Sequence, residues 1–242
     1  MKKKIPFKNI MFFTTKIVSL LIIIFSIIFI FFTDTDEGKS RLIFNALMAF
    51  VLLMLTLIPS FLEKKLKIDI PSVMEIIFLV FSVLAFLLGE IGDFYIKFKW
   101  WDSMLHTMSG VLLGCVGFTF LNFCNNNNHI KTFKLGAGFA AFFVLCFTIA
   151  CGTIWEIIEF LADTINATNM QRYKDNITGE GFIGRAALFD TMKDLIQDFG
   201  GGLLISIVGY IDIKRSNVFV DKLKVKILLD EENTINNKEC SS

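Results

Sequence analysis

Asp102 and His106 stand four residues apart in "WWDSMLHTMSG", Glu156 and Glu159 three apart in "TIWEIIEFLAD", and Asp190, Asp194 and Asp198 at successive four-residue steps in "LFDTMKDLIQDFG". On a helix these spacings place each set on one face. Imidazole and carboxylates presented together are the donors of a divalent-cation site, and the same groups can move a proton as general acid or base. Each set adjoins a long apolar run, so the elements that position them must be hydrophobic helices.

Composition fixes the class of those elements. The chain has 242 residues, 54% of them hydrophobic, with 28 Phe and a mean hydropathy of +0.63. Such a chain reads as an all-α, polytopic membrane helical bundle. Six runs are long enough to span, at about 12–32, 42–62, 71–91, 103–122, 135–158 and 192–211, in a single integral membrane domain with a basic tail at 212–242. No soluble domain is left over. The N-terminus begins with the charges of a signal peptide, but its apolar run is too long and no small-residue cleavage site follows, so it reads as a retained first span. Between Asp198 and Asp212 lie thirteen uncharged residues. They cover about 20 Å of helix against the roughly 30 Å of a hydrocarbon core, which draws the acidic turns of the last span into the bilayer.

Lys and Arg near the span ends set the orientation. With the N-terminus in the cytoplasm, sixteen of the 24 basic residues fall on the cytoplasmic side. Both termini then lie in the cytoplasm of a multi-pass cell-membrane protein. Asp102, His106, Glu156, Glu159, Asp190, Asp194 and Asp198, with Glu90 and Asp93 at the end of the third span, all come to the extracytoplasmic ends. A net charge of +1 gives no reason to expect nucleic acid. Cys115, Cys146 and Cys151 lie within spans and Cys240 in the tail, in no metal-binding spacing, and read as small packing residues. Gly110, Gly114 and Gly117 and the run Gly200 to Gly202 read as helix-contact residues. Asn125 to Asn128 read as a polar turn, and His129 lies on the side away from the carboxylates.

Each feature has a plainer reading. Asp102 beside Trp100 and Trp101, or Glu159 at a span end, suits an interfacial anchor; Asp190 can pair with Lys193; His106 can be a buried hydrogen-bonding residue. Taken together they are harder to dismiss, because each ionisable group in a span costs roughly 2.5–3.5 kcal/mol on insertion scales. Crowded carboxylates must protonate, recruit basic residues or hold a cation. Basic residues beside the last acidic segments are few: Arg172, Lys174 and Arg185 in the 163–189 loop, plus Lys193. A divalent metal ion is the simplest neutraliser, with Asp102, His106, Glu156, Glu159, Asp190, Asp194 and Asp198 as ligand candidates and Mg, Mn, Ca, Zn or Fe as suitable ions. His106, Glu156 and Asp194, one from each of three spans, are the candidate catalytic residues.

Three ordered motifs carry a family resemblance: Asp102, His106 and Gly110; then Trp155, Glu156 and Glu159; then Gly184 with Asp190, Thr191 and Asp194. Over roughly residues 90–205 the chain resembles the YjdF-like family of uncharacterised bacterial inner-membrane proteins. The resemblance implies a shared fold and shared site residues, and carries no reaction with it.

Two functional classes fit beside a structural one. A metal-dependent hydrolase or transferase would act at the outer leaflet on a lipid or lipid-linked substrate, with Arg172, Lys174 or Arg185 holding a phosphate. A cation or proton transporter would want carboxylates at the midplane. In a structural protein the cluster would be a buried acidic network joining three helices.

Overall fold

The computed structural model describes residues 7–126, 136–166, 168–175 and 178–227. His129, Lys131, Lys134, Cys240 and the tail beyond residue 227 lie outside the described residues. Among the described residues the fold is all-α apart from a two-residue antiparallel pairing of β1 (Ile68–Asp69) with β2 (Lys226–Ile227) and an isolated bridge of Lys174 with Gly181. Six helical stretches among the described residues are long and apolar enough to cross a membrane: Phe7–Ile30, Asp36–Leu66, Ser72–Ile91, Trp101–Cys124, Ala137–Ile165 and Arg185–Arg215. All six expected spans are present, and they differ from the sequence reading at their ends. The sixth starts at Arg185 instead of 192, because Leu188, Phe189 and Met192 continue the apolar face between the aspartates. Asn125 and Asn126 belong to a helix and not to a turn.

The chain divides into two compact units, Met1–Trp101 with Val225–Ser242, and Asp102–Lys224. In the first, α1 (Phe7–Ile30) and α2 (Asp36–Leu55) are joined by a short connection. α2 opens on Thr35, whose hydroxyl accepts from the Gly38 amide, with Asp36 and Glu37 in its positive first turn. The second span breaks at Thr56 and Leu57 and resumes as α3 (Ile58–Leu66), with Pro59 in its first turn and Lys67 closing it in the left-handed region. α4 (Ser72–Ser82) runs on as a π-helix over Val83–Ile91. Arg41 of α2 donates to the carbonyls of Glu90 at 3.2 Å and Ile91 at 3.3 Å and pairs with Asp93, which satisfies the open carbonyl end of that helix. Buried Glu75 of α4 pairs with Lys8 of α1. The short α5 (Phe94–Lys97) completes this unit.

The second unit holds α6 (Trp101–Asn126), α7 (Ala137–Asn166), α8 (Arg185–Arg215) and the short α9 (Val218–Lys222). The α6 and α8 backbones touch where glycines face each other. A Cβ on Gly110 would come within 2.4 Å of the Asp198 carbonyl oxygen, and one on Gly201 within 2.3 Å of the Thr107 carbonyl oxygen. Farther along the same contact Gly114 meets Ile205 and Gly209 meets Phe118. Small residues admit this approach where hydrocarbon gives helices no hydrophobic reason to associate. Phe142, Ile154, Phe160, Leu204 and Ile207 point outward, as suits lipid-facing surface. At the far end from Asp102, α9 is fastened down: Asp212 accepts from the amides of Phe219 and Val220 at 3.0 Å each, Thr119 donates to the Leu223 carbonyl at 3.1 Å, and Asn122 donates to that of Val220 at 3.2 Å. Val220 and Leu223 are buried there.

Candidate functional site

The faces of α6, α7 and α8 that carry the spaced acids belong to the same unit, and their side chains are buried apart from Asp102, which is partly exposed. His106 is the hub. Its Nε2 faces Oδ1 of Asp102 and Oδ2 of Asp194 at 3.8 Å each, and its Nδ1 lies 3.3 Å from Oδ2 of Asp198. The donor atoms of Asp102, His106 and Asp194 all lie within 4.8 Å of one another. The two 3.8 Å separations exceed hydrogen-bond length, so these groups face each other across a gap.

The other oxygens of the same carboxylates face a cation of the chain itself. Lys193 Nζ stands 3.2 Å from Asp190 Oδ1, 3.4 Å from Asp102 Oδ2 and 3.4 Å from Asp194 Oδ1. Arg172 adds a looser contact, 3.5 Å from Asp102 Oδ2 and 3.7 Å from Asp190 Oδ1. The expected local pairing of Lys193 with Asp190 is therefore present and extends across to α6. Asp194 Oδ1 makes no hydrogen bond despite the lysine, and neither does Oε1 of Glu156. Both side chains are almost fully buried, at 2% and 4% exposure, and an orphaned acceptor at that depth is costly.

The seven expected site residues fall into different settings. Asp102, His106 and Asp194 converge. Asp190 is committed to Lys193 and Arg172. Asp198 is enclosed on both oxygens, by His106 and by the Ser109 hydroxyl, which also lies 2.7 Å from the His106 carbonyl. Glu156 and Glu159 stand within Coulombic range of His106. Oε2 of Glu156 lies 3.4 Å from Gln171 Nε2, and Glu159 accepts from the Trp155 indole at 2.9 Å. Asp93, paired with Arg41, is occupied within the first unit. Arg185 is exposed, and Lys174 lies over the Tyr173 ring.

Four contributors escaped the spacing argument. Buried Asp163 accepts from Thr168 Oγ1 at 2.5 Å, Met170 N at 2.7 Å and Gln171 N at 3.0 Å. It thereby ties down the loop from which Gln171 and Arg172 reach the acids, Arg172 with a left-handed φ of 47°. Asp163 follows Glu156 by seven residues and Glu159 by four, so extending the same helical face would have found it. Ser109 follows His106 by three and carries the same signal. Gln171 donates to Thr191 at 3.0 Å; no periodicity announces a loop residue, whereas Thr191 stands three residues before Asp194 on α8.

A family model described as "Predicted membrane protein (DUF2238)" matches residues 15–215. The chain belongs to this family. The match agrees with the resemblance to YjdF-like membrane proteins and includes every residue of the cluster. Comparison with curated proteins and with solved structures returned no match.

Proposed function

We propose that this DUF2238 member is a bacterial cell-membrane protein, with both termini in the cytoplasm, whose extracytoplasmic cluster holds a divalent cation between Asp102, His106 and Asp194. One observation carries the reading: His106 Nε2 stands 3.8 Å from a carboxylate oxygen of Asp102 and of Asp194 alike, too far to hydrogen bond, and the donor atoms of all three lie within 4.8 Å of one another, a donor set that takes a cation. One nitrogen with two oxygens suits Zn, Mn or Fe better than Ca or Mg, which favour oxygen throughout. Charge supports it too. Asp102, Asp190, Asp194, Asp198, Glu156 and Glu159 outnumber Lys193, Arg172 and His106, and an unbalanced buried charge is expensive.

A cation there would supply Lewis-acid polarisation of a phosphoryl or carbonyl oxygen. Glu156, with an oxygen free of hydrogen bonds, is placed to take or give a proton as general base or acid. Arg172 and Lys193 are the more exposed groups of the cluster, so a substrate would enter past cations, which suits an anionic lipid or lipid-linked envelope molecule and a hydrolase or transferase reaction. The fastening of α9 at the opposite end argues for a one-sided site over a through-pathway.

Lys193 favours one competing reading, a closed ionic network that only joins α6 to α8. Elemental analysis of purified protein separates the two. The cation reading expects a divalent metal that is lost on Asp194→Asn, whereas a metal-free protein after reconstitution with Zn²⁺, Mn²⁺ and Fe²⁺ leaves the network. The orientation is tested with fusions of a reporter active only outside the cytoplasm. They should report after Asp36, Lys97 and Tyr173 and stay silent after Lys65, Asn127 and Lys222; the reverse pattern contradicts the envelope substrate.

A further inference from the structure

We propose that Asp198 is a positioning residue and not a cation ligand: it holds the His106 ring by Nδ1 so that Nε2 is presented between Asp102 and Asp194. The inference rests on the cation reading above and divides its ligand candidates into holders and supporters. Asp198 is 2% exposed, and each of its oxygens has a neighbour, Oδ2 at 3.3 Å from His106 Nδ1 and Oδ1 at the Ser109 hydroxyl. Its place is fixed from three helices. A Cβ on Gly152 of α7 would stand 2.6 Å from Asp198 Oδ2, and one on Gly110 of α6 would strike its carbonyl oxygen. The bare backbones of Gly152 and Gly110 let α7 and α6 close in on Asp198, and its carboxylate is engaged where it stands by His106 Nδ1 and the Ser109 hydroxyl. Asp194, one turn earlier on α8, differs in what its oxygens meet: Oδ2 lies at that gap, 3.8 Å from His106 Nε2, and Oδ1 faces Lys193 Nζ at 3.4 Å without a hydrogen bond.

A carboxylate that accepts from one imidazole nitrogen fixes the tautomer and aim of the ring and leaves the other lone pair for a cation. Removing such a partner weakens binding without removing a ligand, typically by about 10–100-fold. The ligand trio is then Asp102, His106 and Asp194.

The chain has 2 histidines, so a His129→Gln background leaves one imidazole to observe. In that full-length protein, with ¹⁵N-labelled histidine and in detergent, Zn²⁺ is titrated by calorimetry and the ring nitrogens are read by NMR. The zinc-loaded ring should carry its proton on Nδ1 and its metal on Nε2. Asp198→Asn should lower zinc affinity by about 10–100-fold with unchanged stoichiometry, and Asp194→Asn should lower it further. Ser109→Ala, which loosens Asp198 without touching the ring, should cost affinity in the same direction and serves if Asp198→Asn fails to fold. The inference is overturned by metal on Nδ1, by parental affinity in Asp198→Asn and Ser109→Ala, or by equal loss in Asp198→Asn and Asp194→Asn. A parent that binds no zinc, Mn²⁺ or Fe²⁺ instead removes the cation reading, and this inference with it.

Discussion

The two compact units set carboxylates against cations in opposite ways. In the first, Glu75 meets Lys8 and Asp93 meets Arg41, one cation to each acid. In the second, Lys193 is shared by Asp102, Asp190 and Asp194, Arg172 by two of those three, and His106 is shared by Asp102, Asp194 and Asp198. A matched pair closes on itself and needs nothing from outside. A shared cation leaves negative charge over, and the orphaned oxygens of Glu156 and Asp194 lie where that surplus is. The contrast separates acids paired one to one from acids that share their counter-charges.

The sharpest way to break the comparison is to unpair one of the matched acids. Lys8→Ala strands Glu75 at 5% exposure, and loss of one partner of a buried pair costs about 3–5 kcal/mol, toward the low end here because Lys8 is partly exposed. A large drop in melting temperature in detergent is expected. Asp194→Asn, in metal-free protein, should leave the melting temperature level or higher, since it removes a surplus charge. If the two variants shift melting alike, the units do not differ in the way described.

A smaller effect is expected at Asp163, where an acid is satisfied by the loop's hydroxyl and amides instead of by a cation. Asp163→Ala removes an acceptor shared by three donors, and a hydrogen bond to a charged group contributes about 1.5–3 kcal/mol. The consequence should be local: faster proteolysis within 168–184 and weaker retention of Arg172 at Asp102, with the helices still formed. Unchanged proteolysis would mean that the loop is held by something else.

The spans were legible because apolar runs of that length have few other uses, and the acids because spacing of three or four residues survives into any helix. That reasoning expected the spaced acids and His106 to gather at one end of three spans, and of these Asp102, His106 and Asp194 have donor atoms within 4.8 Å of one another. It could not see the break at Thr56 and Leu57 or the π-helix over Val83–Ile91, because apolar residues continue through both and carry no period that marks them. Nor could it give the partners. Lys193 follows Asp190 by three residues, and spacing showed that pairing but not the reach to Asp102 on another helix. Asp198 sits on the same face as Asp194, and only the packing of Ser109, Gly110 and Gly152 around it separates its setting from that of its neighbour. Gln171 and Arg172 owe their places to Asp163, through a loop whose conformation no helical spacing encodes.

Two adjacent glycines give the smallest and most controlled effect. Gly201→Ala would push on the Thr107 carbonyl, and overpacking of this kind costs about 1–3 kcal/mol; it should also part α6 from α8 beside Asp198 and so weaken the crowding itself. Gly200 has nothing within 4 Å of a Cβ. Gly200→Ala should therefore be neutral or stabilising by up to about 1 kcal/mol, from helix propensity. Equal melting shifts for the two would deny the close approach of α6 and α8.

The central claim, that the surplus charge of the second unit is there to hold a cation, is tested most directly by melting the parent protein with Zn²⁺ or Mn²⁺ and then with chelator. Ligand present at about a hundred times its dissociation constant stabilises by about 2.7 kcal/mol. The parent should gain melting temperature with the ion and lose that gain with chelator, while Asp194→Asn does neither. A parent that melts identically under all conditions would contradict the claim and leave Lys193, Arg172 and His106 as the counter-charges of the cluster.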